Sequence, residues 1–213
     1  MNAKSYFTLS ALSQAELIEK KSRFIAWAMP VNDENEAQAY LAKARNEHRG
    51  ATHHVYAYQI GKDDQIQRSS DDGEPSGTGG RPVLEIIKKE DLHNIMVIII
   101  RYFGGILLGT GGLTKAYSKS AAMALKEGLV IEKIPAFKYL ITFDYSLGTA
   151  VENWLSRKGF MMEEKNFGEF ISFSFLVPNY YAGSINDELQ NLSNGTINLL
   201  NLGDEFWLES PRN

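Results

Sequence analysis

The densest chemistry in the sequence lies where a strand runs into a glycine loop and then a helix, between Ile98 and Ala122. Gly104, Gly105, Gly109, Gly111 and Gly112 are five glycines within nine residues. A helix start presents unpaired backbone N–H groups and the positive end of the helix dipole, and both favour phosphate. Glycine lets such a backbone approach a ligand closely. Lys115 and Lys119 stand four apart on the polar side of the helix, Arg101 leaves the preceding strand, and Arg81 closes the loop upstream. The expectation is a site for phosphate or a nucleic-acid backbone, with Arg81, Arg101, Lys115 and Lys119 around the amides of Gly104, Gly105, Gly111 and Gly112. The spacing G-G-x-x-x-G-x-G-G matches neither the Walker A form nor the dinucleotide fingerprint. The competing reading gives these glycines tight turns and close packing alone.

A second candidate is the stretch from Ser69 to Pro82, which places Asp71, Asp72 and Glu74 beside Ser70, Ser76 and Thr78. Oxygen ligands at this density suit magnesium or calcium, but the EF-hand spacing is missing. Adjacent carboxylates among Gly and Pro are also ordinary turn chemistry. No metal or cofactor is therefore expected, and the loop is read as flanking the glycine turn, shaping the site and ordering on a partner. His53 and His54 are consecutive in a strand, so they point to opposite faces and cannot share one metal. One is expected to be packed and the other exposed. The sequence has no G-x-S-x-G elbow, and no catalytic residue is assigned.

These residues need a scaffold, and its elements are legible. Tyr6 to Leu9 and Arg23 to Val31 read as strands. Asp33 with Glu36 has capping-box spacing ahead of a helix bearing Ala37, Tyr40, Leu41 and Ala44. Thr52 to Ile60 and Gln65 to Ser69 form a hairpin about Gly61–Asp64. Pro82 opens a short helix. Asn94 to Phe103 is nearly continuous apolar sequence, as in a strand buried on both faces. Leu113, Ala116, Tyr117, Ser120, Ala121, Ala124 and Leu125 hold one helical face until Gly128. Leu129 to Ile134 is strand-like, and Pro135-Ala136 reads as a linker. Beyond it the order is β-α-β-β-α-β, with helices over 147–158 and 179–192, which is the ferredoxin-like split unit.

With 213 residues the chain fits one large or two small domains. It has no Cys, which excludes a disulfide scaffold, Cys-ligated metal and a thiol nucleophile. No apolar run reaches membrane-spanning length and the first residues show no signal core, so a cytoplasmic, non-membrane protein is expected. Residues 1–135 hold 17 Lys and Arg against 16 Asp and Glu, whereas residues 136–213 hold 5 against 10. All four histidines lie in the first part. This asymmetry points to two domains, 1–135 and 136–213, with any anion-binding surface in the first.

Two longer motifs carry a resemblance. Ser70-Asp71-Asp72-Gly73-Glu74-Pro75-Ser76-Gly77-Thr78-Gly79-Gly80-Arg81-Pro82 is followed by Arg101-Tyr102-Phe103-Gly104-Gly105, Leu108-Gly109 and Gly111-Gly112-Leu113. With them the sequence resembles the bacterial members of the YigZ/IMPACT family over essentially its whole length. It departs at Gly79, where alanine is common, and at Lys115, where arginine is expected; lysine keeps the charge without the planar fork. The resemblance implies an α+β chain of two domains. The first would be similar to the second domain of a small-subunit ribosomal protein, and the second to the ferredoxin-like fifth domain of elongation factor G. It also implies association with RNA or the ribosome. Eukaryotic members act on an initiation-factor kinase through an added domain, and that mechanism does not carry over. No catalytic residues come with the family.

The leading expectation is a non-catalytic regulator in translation that binds RNA or a ribosomal partner through the first domain. Two alternatives stand beside it: an enzyme acting on a small phosphorylated or nucleotide ligand at the glycine loop, and an adaptor that docks a protein of translation control. The sequence does not fix the oligomeric state.

Overall fold

The computed structural model describes residues 4–61 and 63–211, with backbone alone for 204–208; Lys62 of the expected hairpin turn lies outside the described residues. The chain separates into two units, Tyr6–Glu132 and Lys133–Ser210. In the first, the elements run β1 (Tyr6–Leu9), β2 (Ser13–Glu19), β3 (Ser22–Pro30), α1 (Glu34–Glu47), β4 (His53–Ile60), β5 (Ile66–Ser70), α2 (Gly80–Lys89), β6 (Ile95–Tyr102), α3 (Gly109–Glu127) and the opening of β7 (Val130–Phe143). Strand β2 is an addition to the sequence reading.

One antiparallel sheet, in the order β2-β3-β6-β4-β5, carries this unit. Its middle strand, β6, is buried on both faces because its side chains alternate between two cores. Ile95, Val97 and Ile99 join Val83 and Ile87 of α2 and Leu113, Tyr117 and Ala121 of α3. Met96, Ile98 and Ile100 join Ala37, Leu41 and Ala44 of α1 on the opposite face. The apolar stripe of α3 is buried at all seven expected positions. Asp33 caps α1 by accepting from the Glu36 N–H at 2.8 Å, while the Glu36 carboxylate reaches back to the Asn32 N–H at 2.8 Å.

The second unit takes the rest of β7, then α4 (Gly148–Lys158), β8 (Met162–Phe167), β9 (Ile171–Pro178), α5 (Ala182–Ser193) and β10 (Asn198–Pro211). Its strands pair in the order β10-β7-β9-β8, the ferredoxin-like arrangement expected from the chain order, and β1 also pairs with β7 as the fifth strand of that sheet. Ile141, Phe143, Phe173 and Phe175 of the sheet meet Val151, Trp154 and Leu155 of α4 and Ile185 and Leu189 of α5. Pro135 and Ala136, expected to form a linker, instead lie inside β7, with Ala136 buried and paired with Pro178. Proline's fixed φ fits extended backbone, and a strand tolerates it where the missing N–H is not needed. Both units are therefore mixed α and β.

Candidate functional site

The acidic loop between β5 and α2 is held by its own residues instead of waiting for a partner. The Asp71 carboxylate accepts from the N–H groups of Gly77, Gly79 and Gly80, each at 2.8 Å. It thereby caps α2, whose N-cap, Gly79, has no side chain to do so. Partial burial works against ionisation, but these three bonds outweigh it and hold the Asp71 carboxyl below its ordinary value. Gly80 is required here, since a Cβ would stand 2.7 Å from the Ser70 nitrogen. Asp72 accepts from the His54 N–H at 2.6 Å and pairs with Arg45 at 3.1 Å. The Thr78 hydroxyl donates to the Pro75 carbonyl at 2.6 Å, while Ser76 stays exposed.

Glu74 is the deepest member of this loop. Its Oε1 accepts from Arg101 Nη1 at 2.5 Å and from the Tyr117 hydroxyl at 2.6 Å. All three side chains are buried. Arg101 thus continues the Ile95-Val97-Ile99 row of β6 into the core beneath α3, lying 5.4 Å over the Phe24 ring. Burial, followed by the Glu74 carboxylate, pushes the Tyr117 phenol far above its ordinary value, so it remains a proton donor. This corrects the expected role of Arg101: its charge is matched by Glu74, and its Nη2 goes to Ser22 Oγ at 3.3 Å.

Both histidines of β4 are held, which corrects the expectation that one would be exposed. His53 Nδ1 lies 2.8 Å from the Asp72 carbonyl, which can only accept. His54 is 8% exposed, and burial above all lowers its pKa below 6.5.

The glycines divide by role. A Cβ on Gly104 would stand 2.1 Å from the Lys21 carbonyl carbon, and its N–H already donates to Ser22 Oγ at 3.2 Å. Gly105 has φ of +80°, a turn requirement. The Gly104 N–H is therefore not a free anion contact. Gly111 and Gly112 fall in the first turn of α3, which opens from Leu108 without a side-chain cap among the described residues. That turn keeps the unpaired N–H groups of a helix start.

The expected cations do not converge as a set of four. Lys115 and Lys119 border one groove of about 260 Å³ with Gly112 and Leu108, and neither has an ion pair among the described residues. Arg81 is exposed on the first turn of α2 and Arg101 is buried, and neither borders that groove. Lys20, absent from the sequence-based set, takes their place. Lys20 and Lys21 form the two-residue turn between β2 and β3, with φ of +45° and +65°, closed by the Glu19–Ser22 pair. Lys-Lys is not a turn signature, so the sequence offered no cue to this neighbour. Among the described residues, no three His, Asp or Glu side chains gather as cation ligands. No helix there is long and apolar enough to cross a membrane.

Comparison with known proteins adds the following. A family model described as the Impact N-terminal domain matches residues 20–125, and one described as a domain of unknown function, DUF1949, matches residues 141–196. IMPACT family member YvyE of Bacillus subtilis (strain 168) is 37% identical over 210 residues, covering 98% of this chain and 96% of the relative. IMPACT family member YigZ of Escherichia coli (strain K12) is 33% identical over 183 residues, covering 85% and 90%. Protein IMPACT of Rattus norvegicus is 37% identical over 100 residues, covering 45% of this chain and 31% of the rat protein. A crystal structure of a hypothetical protein, 31% identical, superposes with a TM-score of 0.63 over 95% of this chain and 99% of that one.

Proposed function

We propose, from the premise that the chain belongs to the IMPACT family, that it is a non-catalytic regulator associated with translation whose first unit binds RNA at the lysine groove beside α3. One observation carries this reading. Lys20, Lys115 and Lys119 border a single groove, without ion pairs among the described residues, next to a helix start lacking a side-chain cap. Glu19 is also in that lining, and the balance there is positive.

Ammonium groups are point charges that meet phosphate without reading bases, and helix N–H groups do the same. Binding would therefore tolerate many sequences. Because residues 1–135 are near neutral overall, the attraction is local, and it must weaken steeply as salt rises. The acidic loop supports the site from behind by fixing α2 and, through Glu74 and Tyr117, the seat of α3.

Anisotropy of a labelled single-stranded RNA, titrated at several potassium chloride concentrations, tests the reading. Three phosphate contacts predict a slope of about −2 in log K against log salt for a single strand. Lys115→Glu with Lys119→Glu should weaken binding and flatten that slope by about 1.4. Unchanged affinity and slope in that variant would overturn the proposal.

A further inference from the structure

Leu108 borders two hollows: the lysine groove, and a cavity of about 440 Å³ that lies in the size range of small-molecule sites. The opening of α3 also lines both. Gly112, Lys115 and Lys119 border the groove, whereas Gly109, Thr110 and Leu113 border the cavity. The cavity's walls are apolar, with Pro75, Phe103 and Leu107 beside Leu108 and Leu113. Phe103 and Leu107 are 46% and 82% exposed, so large apolar side chains face water here. We propose that this cavity seats an unpaired nucleobase of a single-stranded RNA whose phosphates lie along the lysine groove, with the base stacked on Phe103.

The lining suits a flat, neutral guest. Phe103 is a fixed platform: its N–H donates to Thr52 Oγ1 at 3.2 Å, and the Arg101 guanidinium carbon lies 5.5 Å from the centre of its ring. Nearly half of the residue is still open to solvent, and stacking a base on such a ring covers apolar surface whatever the base. The two charged residues of the lining, Glu74 and Arg101, match each other at 2.5 Å, so they offer no net charge to a ligand. Thr52, His53 and Thr110 complete it with side chains of the kind that donate and accept hydrogen bonds, as base edges do.

This inference rests on the reading that RNA phosphate occupies the lysine groove, and it adds the state of the strand. Lysines meet the phosphates of a duplex and of a single strand alike, whereas a base can enter a cavity only when it is unpaired and splayed from its neighbours. The groove and the cavity flank the first turns of one helix, which is about 10–12 Å across with its side chains. The phosphate, sugar and base of neighbouring nucleotides cover that span together.

The test compares two labelled ligands on the full chain by anisotropy: a short oligoadenylate, and an abasic ribose-phosphate strand of the same length. Oligoadenylate should bind at least about fivefold tighter, with parallel salt slopes because the phosphates are the same. Phe103→Ala should remove that advantage and leave the abasic strand within about twofold, while Phe103→Tyr, which keeps the ring, should retain it. Leu107→Ser, on an exposed side chain, should weaken oligoadenylate by about threefold without touching the abasic strand, and it decides the matter if the alanine variant does not fold. Equal affinity for the two strands, or oligoadenylate binding indifferent to the Phe103 and Leu107 variants, would overturn the base seat and leave the lysine groove standing. Lys115→Glu with Lys119→Glu should weaken both strands; if both ignore it, the groove reading falls and the base seat falls with it.

Discussion

Replacing Glu74 with alanine removes the carboxylate from a guanidinium that is 4% exposed. Breaking a buried pair from one side costs about 3–5 kcal/mol, because the remaining charge has no partner. The Tyr117 hydroxyl loses its acceptor in the same step, at about 1–3 kcal/mol. The two losses share one oxygen, so they do not add fully. About 4 kcal/mol is the reasonable total, which for a unit of this size lowers Tm by roughly 15 °C. A second variant, Glu74→Leu with Arg101→Met and Tyr117→Phe, removes every member together. An apolar replacement of a whole buried network is often neutral or stabilising, so this variant should recover to within about 1–2 kcal/mol of the parent. Native-state hydrogen exchange of the β6 amides is the assay, since the middle strand of a sheet exchanges only through large-scale unfolding. A cost below about 1 kcal/mol for Glu74→Ala, or a triple variant as unstable as the single, would refute the reasoning. Arg101 would then be hydrated and available to an external anion, as its sequence position had suggested.

Asp71→Ala should destabilise the first unit by about 2 kcal/mol in urea unfolding, because three N–H groups at the start of α2 lose their acceptor. The folded Asp71 carboxyl lies below its ordinary value, so its contribution is complete above pH 3.8 and lost as pH falls through the folded value; the alanine variant should lack that acid-dependent part. Gly104→Ala should cost about 2–3 kcal/mol in the same assay and shift the NMR signals of Lys20 to Ser22, since its Cβ would collide with the Lys21 backbone. In the second unit, hydrogen bonds from Lys158, then Tyr181 and Trp154, bring the Glu188 carboxyl down to about 2. Glu188→Gln should lower that unit's melting temperature at pH 7, and the difference should close as pH falls from 4.5 towards 2.

Much of the fold was legible because single elements announce their burial. The β6 run leaves no polar face, and the α3 stripe repeats at helical spacing for more than three turns. The second unit was legible from element order alone. The site was less so, because its residues answer to tertiary neighbours. Arg101 reads as a free cation by type. Period two along β6 nevertheless puts it in the row of Ile95, Val97 and Ile99, and that signal was available. The loop from Ser69 to Pro82 looks solvated by composition, yet Asp71, Asp72 and Glu74 all turn inward to N–H, guanidinium and hydroxyl donors up to 43 residues away. Lys20 reaches Lys115 and Lys119 only through the β2–β3 hairpin, and β2 itself gave too weak an alternation to be read.

Amide chemical-shift mapping on the full chain, with a short single-stranded RNA added at low salt, addresses the central claim most directly. The account predicts perturbations concentrated at Lys20, Lys21 and the opening two turns of α3 through Lys119, fading as salt is raised. Shifts confined to the second unit, or to the Arg81 face of α2, would contradict it, as would a spectrum that RNA leaves unchanged.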